Sequence, residues 1–290
     1  ATTWVSDNKL VCSGGKTKLL IVTTTAMRLI QLVGRKLQIN VCGDPVEESE
    51  CEKVLGVLAN NKLSWWHHLY GDKREPDKPK PGLIPQLAKR VGFLSRLANL
   101  VPEHRFKVLV SGIFYSKLLY CIQLFGNVWH KRIQGVENHK FRFSAFTKLD
   151  SKKLQVFQNK TLRLRTKTKL YENKPTSKLL EECNELSINQ LSAYHTLLSV
   201  HRAVRTQKPH YIHQKLELNI PKENQMFLQR QHNTIKVPNS QRTLTRTGFC
   251  FRGSILWNKM PDNLRRMKNY LTFKSNIKNW IKKEIPDKAY

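Results

Sequence analysis

The feature that most constrains this chain is its charge: 51 lysines and arginines stand against 21 aspartates and glutamates, a formal excess of +30. A compact body with that excess repels itself unless a polyanion neutralises it, and phosphate backbones are the commonest polyanion a protein meets. Nucleic acid is therefore the expected partner, with an anionic membrane surface or a polyanionic scaffold as alternatives. The chain can still build a core. Its 290 residues are 40% apolar, enough for one large domain or two smaller ones and unlike a disordered chain.

Several chemistries find no footing. Cys12, Cys42, Cys51, Cys121, Cys183 and Cys250 are scattered without a CxxC pair, and no secretory signal precedes them. Reduced thiols in the nucleus or cytoplasm are the expectation. Cys42, Cys51, His67 and His68 are too irregularly spaced for a zinc site. Gly14-Gly15-Lys16-Thr17 resembles a phosphate loop, but Leu10 occupies the place of its first glycine. There is no GxSxG or HExxH, and the aspartates from Asp7 to Asp287 are dispersed. Two-metal phosphoryl transfer needs carboxylates clustered around ions about 4 Å apart. No catalytic residue and no metal ligand is expected. Residues 108–129 approach membrane-spanning length, yet Lys117, Ser111 and Gln123 interrupt them, so a buried core helix and no membrane segment is predicted.

Along the chain, residues 1–70 read as short strands and turns. Leu19 to Thr25 is β-branched and apolar, as a buried strand should be, and Leu37 to Val41 alternates before a Gly43-Asp44 turn. Residues 71–82, rich in proline and charge, read as an exposed connection. A helical hairpin is expected over residues 83–130. Leu87, Val91, Leu94 and Ala98 share one face of its first helix, Lys89 and Arg96 lie opposite, and a second helix runs from Pro102 to about Phe125. A basic helical region spans 147–206. Within its window 147–180, Leu154, Phe157, Thr161 and Leu164 form a narrow seam that Asp150 or Ser151 can cap. The other faces are Lys, Arg, Gln or Asn, which phosphate contact explains better than solvation. Ser187 and Gln190 form a capping box for a helix over 188–206. Residues 207–247 read as an irregular basic linker, and the basic region 207–290 ends in an amphipathic helix carrying Phe273, Ile277 and Trp280. The fold class expected is α+β: a small β portion followed by a mainly helical remainder.

Taken in order, these segments resemble the region that follows the catalytic aspartates of non-LTR (LINE-type) retrotransposon reverse transcriptases. Trp4, Asn8-Lys9-Leu10 and Lys16-Thr17 match the first block, with Cys12 and Ser13 departing from it. Val54-Leu55-Gly56-Val57-Leu58, running on to Leu63-Ser64-Trp65 and His68, is similar to the Leu-Gly hairpin that positions the primer end, although Asn60 stands where Asp is common. The hairpin to Tyr120 and Trp129 looks like the thumb. Leu154 to Lys160 with Arg163 resembles an LQ-x-x-QN-x-x-x-R element, and Phe251 to Pro261 an LWNxxP-type terminal block.

The resemblance implies the end of a palm over 1–70 with a primer-grip-like hairpin, then a thumb. It also implies a parent RNA-directed DNA polymerase that uses Mg²⁺ held by carboxylates expected upstream of Ala1. The chain, which opens mid-domain, is accordingly expected to be a fragment that binds RNA and DNA as template–primer without polymerising. A domesticated non-catalytic RNA- or DNA-binding or scaffold protein is the alternative. The expected nucleic-acid contacts are Lys16, Lys18, Gly56, Trp65, Lys89, Arg96, Lys153, Arg163, Arg165 and Arg252.

Overall fold

The computed structural model describes residues 7–9, 13, 16–23, 39–41, 44–72, 79–126, 148–219, 233–239, 248–285 and 287. The fold is α+β, with small two-stranded antiparallel sheets and a larger helical part. Two compact units are present, Ala1–Gln86 and Leu87–Tyr290.

In the first unit, β1 (Ile39–Val41) pairs with β2 (Asp44–Val46), and β3 (Cys51–Val54) with β4 (Val57–Asn60). Leu55 and Gly56 connect β3 to β4 with φ of 46° and 85°. A two-residue turn with both φ positive suits the right-handed twist of a hairpin, and Gly56 adopts it without steric cost. The short helix α1 (Trp66–Tyr70) packs on β4, and β5 (Gly71–Asp72) pairs with β6 (Lys80–Pro81). Cys51, Val57, Leu58 and Leu69 form the interior. His67 and His68 lie on α1. The buried His68 accepts the Leu58 N–H at Nδ1, 3.3 Å away, which satisfies a main-chain donor that would otherwise be orphaned. The strand expected at 19–25 is reduced to a single bridge between Leu19 and Glu48, with Thr24 and Thr25 outside the described residues.

The second unit is built around α8. In chain order its helices are α2 (Leu83–Leu97, which begins in the first unit), α3 (Glu103–Val110), α4 (Ser116–Leu119), α5 (Ile122–Phe125), α6 (Lys148–Thr166) and α7 (Thr176–Glu182). They continue with α8 (Ile188–Thr206), α9 (His210–Lys215), α10 (Phe249–Lys259), α11 (Asp262–Arg266) and α12 (Tyr270–Glu284). The Ser187–Gln190 capping box starts α8 as expected. That helix is covered on nearly every side by α5, α6, α10 and α12, so even Ser192, Thr196 and His201 are buried.

The second hairpin helix, expected unbroken to Phe125, is divided. Ser111–Tyr115 forms a π turn, and Cys121 adopts a left-handed conformation with φ 58° before α5. The wider turn lets the sequence neighbours Phe114 and Tyr115 both enter the interior. Arg90 donates to the Ile113 carbonyl inside that turn, where the regular helical ladder is disturbed. The linker expected at 207–247 contains α9 and a bridge between Leu218 and Ile235. Among the described residues, no helix is long and apolar enough to cross a membrane.

Candidate nucleic-acid interface

The basic faces of the second unit are those of α2 and α6. On α2, Leu87, Val91 and Leu94 are buried, and Lys89 and Arg96 lie exposed on the other side. Arg96 Nε reaches only the Gly92 carbonyl of its own helix, at 3.4 Å.

On α6 the inner row is Leu154, Gln158, Thr161 and Leu162, all fully buried, whereas Phe157 and Leu164 are half-exposed. The expected seam is therefore rotated. The reason is a polar network that the helix carries inward. Gln158 donates from Nε2 to Tyr115 Oη at 3.1 Å and to the Leu186 carbonyl at 2.8 Å. Gln155 accepts the Ile188 N–H at 3.0 Å, and Asn159 donates to Thr176 Oγ1 at 2.8 Å. The buried Gln158 amide, with its oxygen also paired to Gln155, and the half-buried Gln155 and Asn159 tie the π turn Ser111–Tyr115, α7 and α8 to α6, because an unpaired amide at Gln158 would be costly. Burial raises the Tyr115 phenol far above its ordinary pKa, so Tyr115 stays a neutral partner for Gln158. Asp150 and Ser151 are buried in the first turn and are not its cap, since α6 begins at Lys148.

The arginines of α6 also turn inward. Arg165 meets Glu185 at 2.8 Å, and Arg163 donates to the Lys174 carbonyl at 3.2 Å. Both had been expected on phosphates; Arg165 is instead paired with a carboxylate, and one Arg163 donor is taken by a main-chain carbonyl. Arg252 shows the same correction. Its guanidinium donates to the carbonyls of Gln123, Leu124 and Gly126 and so closes the C-terminal end of α5. Desolvation pulls its pKa down to about 10, which leaves it charged at neutral pH.

The LWNxxP-like block is likewise an internal device. Trp257 is fully buried and donates from Nε1 to the Asn233 carbonyl at 2.7 Å. Asn258 accepts the Ile235 N–H at 2.8 Å and donates to the Ile235 carbonyl at 2.7 Å, as a neighbouring strand would. Pro261 then precedes the first residue of α11.

Among the described residues, the exposed ones of α6 are Leu149, Lys152, Val156 and Lys160, so its outward cations are lysines. Lys152 and Lys160 are exposed on α6, where helical periodicity sets them opposite the inner row, and Lys167 is exposed just past the end of the helix with φ 52°. Lys153 is half-buried. Lys152 and Lys160 are eight residues apart, about 12 Å along the axis. Lys169 and Lys178 extend the exposed cations beyond the helix. The sequence window contained these lysines, but no local signal separated them from the arginines.

In the first unit, Lys16 is exposed, and Lys18 pairs with Glu47 at 2.7 Å, which holds that carboxylate below its usual pKa. Gly56 forms the hairpin tip beside Leu55, which is 87% exposed. Trp65 is half-buried, with its ring edge-on to His68 at 6.4 Å. Lys16, Lys18, Gly56 and Trp65 belong to the first unit, and Lys89, Arg96 and the α6 residues to the second. Among the described residues, no three His, Cys, Asp or Glu side chains converge to hold an ion. Comparison with known protein families, with curated proteins and with solved structures gives no match.

Proposed function

We propose that this chain grips nucleic acid through the phosphate backbone, with little sequence preference, as the C-terminal part of a non-LTR retrotransposon-type reverse transcriptase. The observation that carries the reading is the pair Lys152 and Lys160, exposed on the outer side of a helix whose inner side is locked into the core, with Lys167 exposed just past its end. Exposed lysines cost self-repulsion in a chain of +30, even where one packs on a ring as Lys160 does over Phe157, and counterion release on a polyphosphate relieves it. The motif order supports the family part of the proposal. On that reading the Mg²⁺-dependent chemistry belongs to the parent enzyme's palm, and this chain positions template and primer.

Replacing Lys152, Lys160 and Lys167 together by Gln tests the first half. Anisotropy titrations of a primed duplex across a salt series should lose about three units of slope, roughly 0.9 per lysine. Unchanged affinity and slope would sink the assignment. Salt-insensitive binding to an acidic protein, with no affinity for RNA or DNA, would favour a scaffold role. An Asp-Asp turn encoded within about thirty codons upstream of Ala1 supports the family half, since two-metal catalysis needs clustered carboxylates. An intact upstream frame without one removes it.

A further inference from the structure

Between the C-terminal turn of α8, α9 and the first turn of α10 lies an open cleft of about 1160 Å³, entirely within the second unit. Its lining combines two kinds of side chain. Arg202, Lys208 and Lys215 are exposed cations. Among the described lining residues Glu217 is the one carboxylate, and it faces Lys236 at 3.4 Å, so none of them balances Arg202, Lys208 or Lys215. The same lining carries aromatic rings: Tyr211, 65% exposed, with Phe249 and Phe251 half-buried. The first turn of α10 has no side-chain cap, which adds the partial positive charge of a helix N-terminus to the same wall.

A solvated basic face has no use for exposed rings, and an apolar peptide groove has no use for unbalanced cations. Rings and cations on one lining suit a strand whose bases are unpaired, because such a base can stack on a ring while its phosphates meet the cations, whereas a base in a duplex has both faces covered by its neighbours. We propose that this cleft holds an unpaired stretch of nucleic acid, with Tyr211 as the stacking platform and Arg202, Lys208 and Lys215 along the backbone. The inference rests on the nucleic-acid reading above and adds to it a strand state and a location distinct from the α6 lysines.

The test uses the full chain and two fluorescent probes, a single-stranded oligothymidylate and a blunt DNA duplex. Tyr211→Ala should weaken single-strand binding by about fivefold to a hundredfold and leave the duplex unaffected, whereas Tyr211→Phe restores it. Arg202→Gln with Lys215→Gln should lower the single-strand salt slope by about 1.4 units. All three positions are exposed, and unchanged circular dichroism melts confirm that the variants fold. A photoreactive 5-iodouridine probe should crosslink within α9 or the first turn of α10. The inference fails alone if the wild-type chain binds single strands and Tyr211→Ala binds them equally well, or if crosslinks fall only outside the cleft. It also fails if the cleft captures an acidic peptide that oligonucleotides do not displace. If the wild-type chain binds neither probe, the nucleic-acid reading falls with it.

Discussion

Arg252→Met separates a structural arginine from a phosphate-binding one. Methionine keeps most of the aliphatic stem and removes the guanidinium, whose hydrogen bonds run to Gln123 and Leu124 at 3.0 Å and to Gly126. Each bond from a charged donor contributes about 1.5–3 kcal/mol, so three set an upper figure of roughly 4.5–9 kcal/mol. Two effects reduce it. Water can replace the guanidinium at the Leu124 carbonyl, which lies at the surface. Burying the cation also carries its own desolvation cost, the same cost that pulls its pKa to about 10.

A net loss of about 2–4 kcal/mol remains, which for a unit of this size lowers the melting midpoint by roughly 5–15 °C. Arg252→Lys should recover little of it, since one ammonium cannot reproduce the planar fork that reaches all three carbonyls. Circular dichroism melts supply the stability, and anisotropy titrations at a temperature where both proteins are folded supply the salt slope. The expected result is a lowered midpoint with an unaltered slope. A midpoint unmoved within about 1 °C, together with a slope reduced by about one unit, would refute the capping argument and return Arg252 to the phosphate.

Three further outcomes follow from buried groups. His201 donates from Nε2 to the Met267 carbonyl at 2.9 Å, stacks on Phe273 at 4.1 Å, and has no hydrogen-bond partner for Nδ1. Burial holds its pKa below the ordinary 6.5, so the unfolded chain binds the proton first as pH falls. Stability is therefore full above about 6.5 and declines below it; urea midpoints from about pH 7.5 to pH 5 should show a smaller decline in His201→Gln, and an identical decline would refute the assignment. Asn258→Ala leaves the Ile235 N–H and carbonyl without the Asn258 amide and should cost about 2–4 kcal/mol in urea unfolding, while a loss under about 0.5 kcal/mol would show that water substitutes. At Gly82 a Cβ would lie 2.3 Å from the Gly71 nitrogen and 2.5 Å from the Leu69 carbonyl oxygen, so Gly82→Ala must displace backbone. Amide exchange in β5, β6 and α1 should accelerate, and unchanged protection there would contradict that packing.

What the sequence discloses depends on how far away each partner lies. The α8 cap was legible because Ser187 and Gln190 satisfy each other within one turn, and the α2 face because Leu87, Val91 and Leu94 carry the helical period themselves. The α6 seam was not. Its decisive residue, Gln158, is buried because Tyr115 lies 43 residues upstream and Leu186 28 residues downstream, and nothing within the helix announces either. A glutamine with distant partners reads locally like one in water. The same holds for Trp257 and Asn258, whose partners Asn233 and Ile235 precede them by 24 and 23 residues.

Charge raised the same difficulty in a sharper form, because lysine and arginine count alike in a net total and behave differently in a fold. Guanidinium is more weakly hydrated than ammonium and offers donors in a planar fork, so it can satisfy main-chain carbonyls inside a protein. Arg90, Arg163, Arg205 and Arg252 each do so, and Arg165 adds a carboxylate. Lys89, Lys152, Lys160 and Lys167 keep their ammonium groups in water. The excess of +30 consequently overstates what a polyanion can reach, since part of it is consumed in holding helix ends and turns. Phosphate binding should then respond to lysine replacements on α6 and α2, and stability to arginine replacements. A chain in which those two responses were exchanged would show that the inward arginines leave their carbonyls when a strand binds.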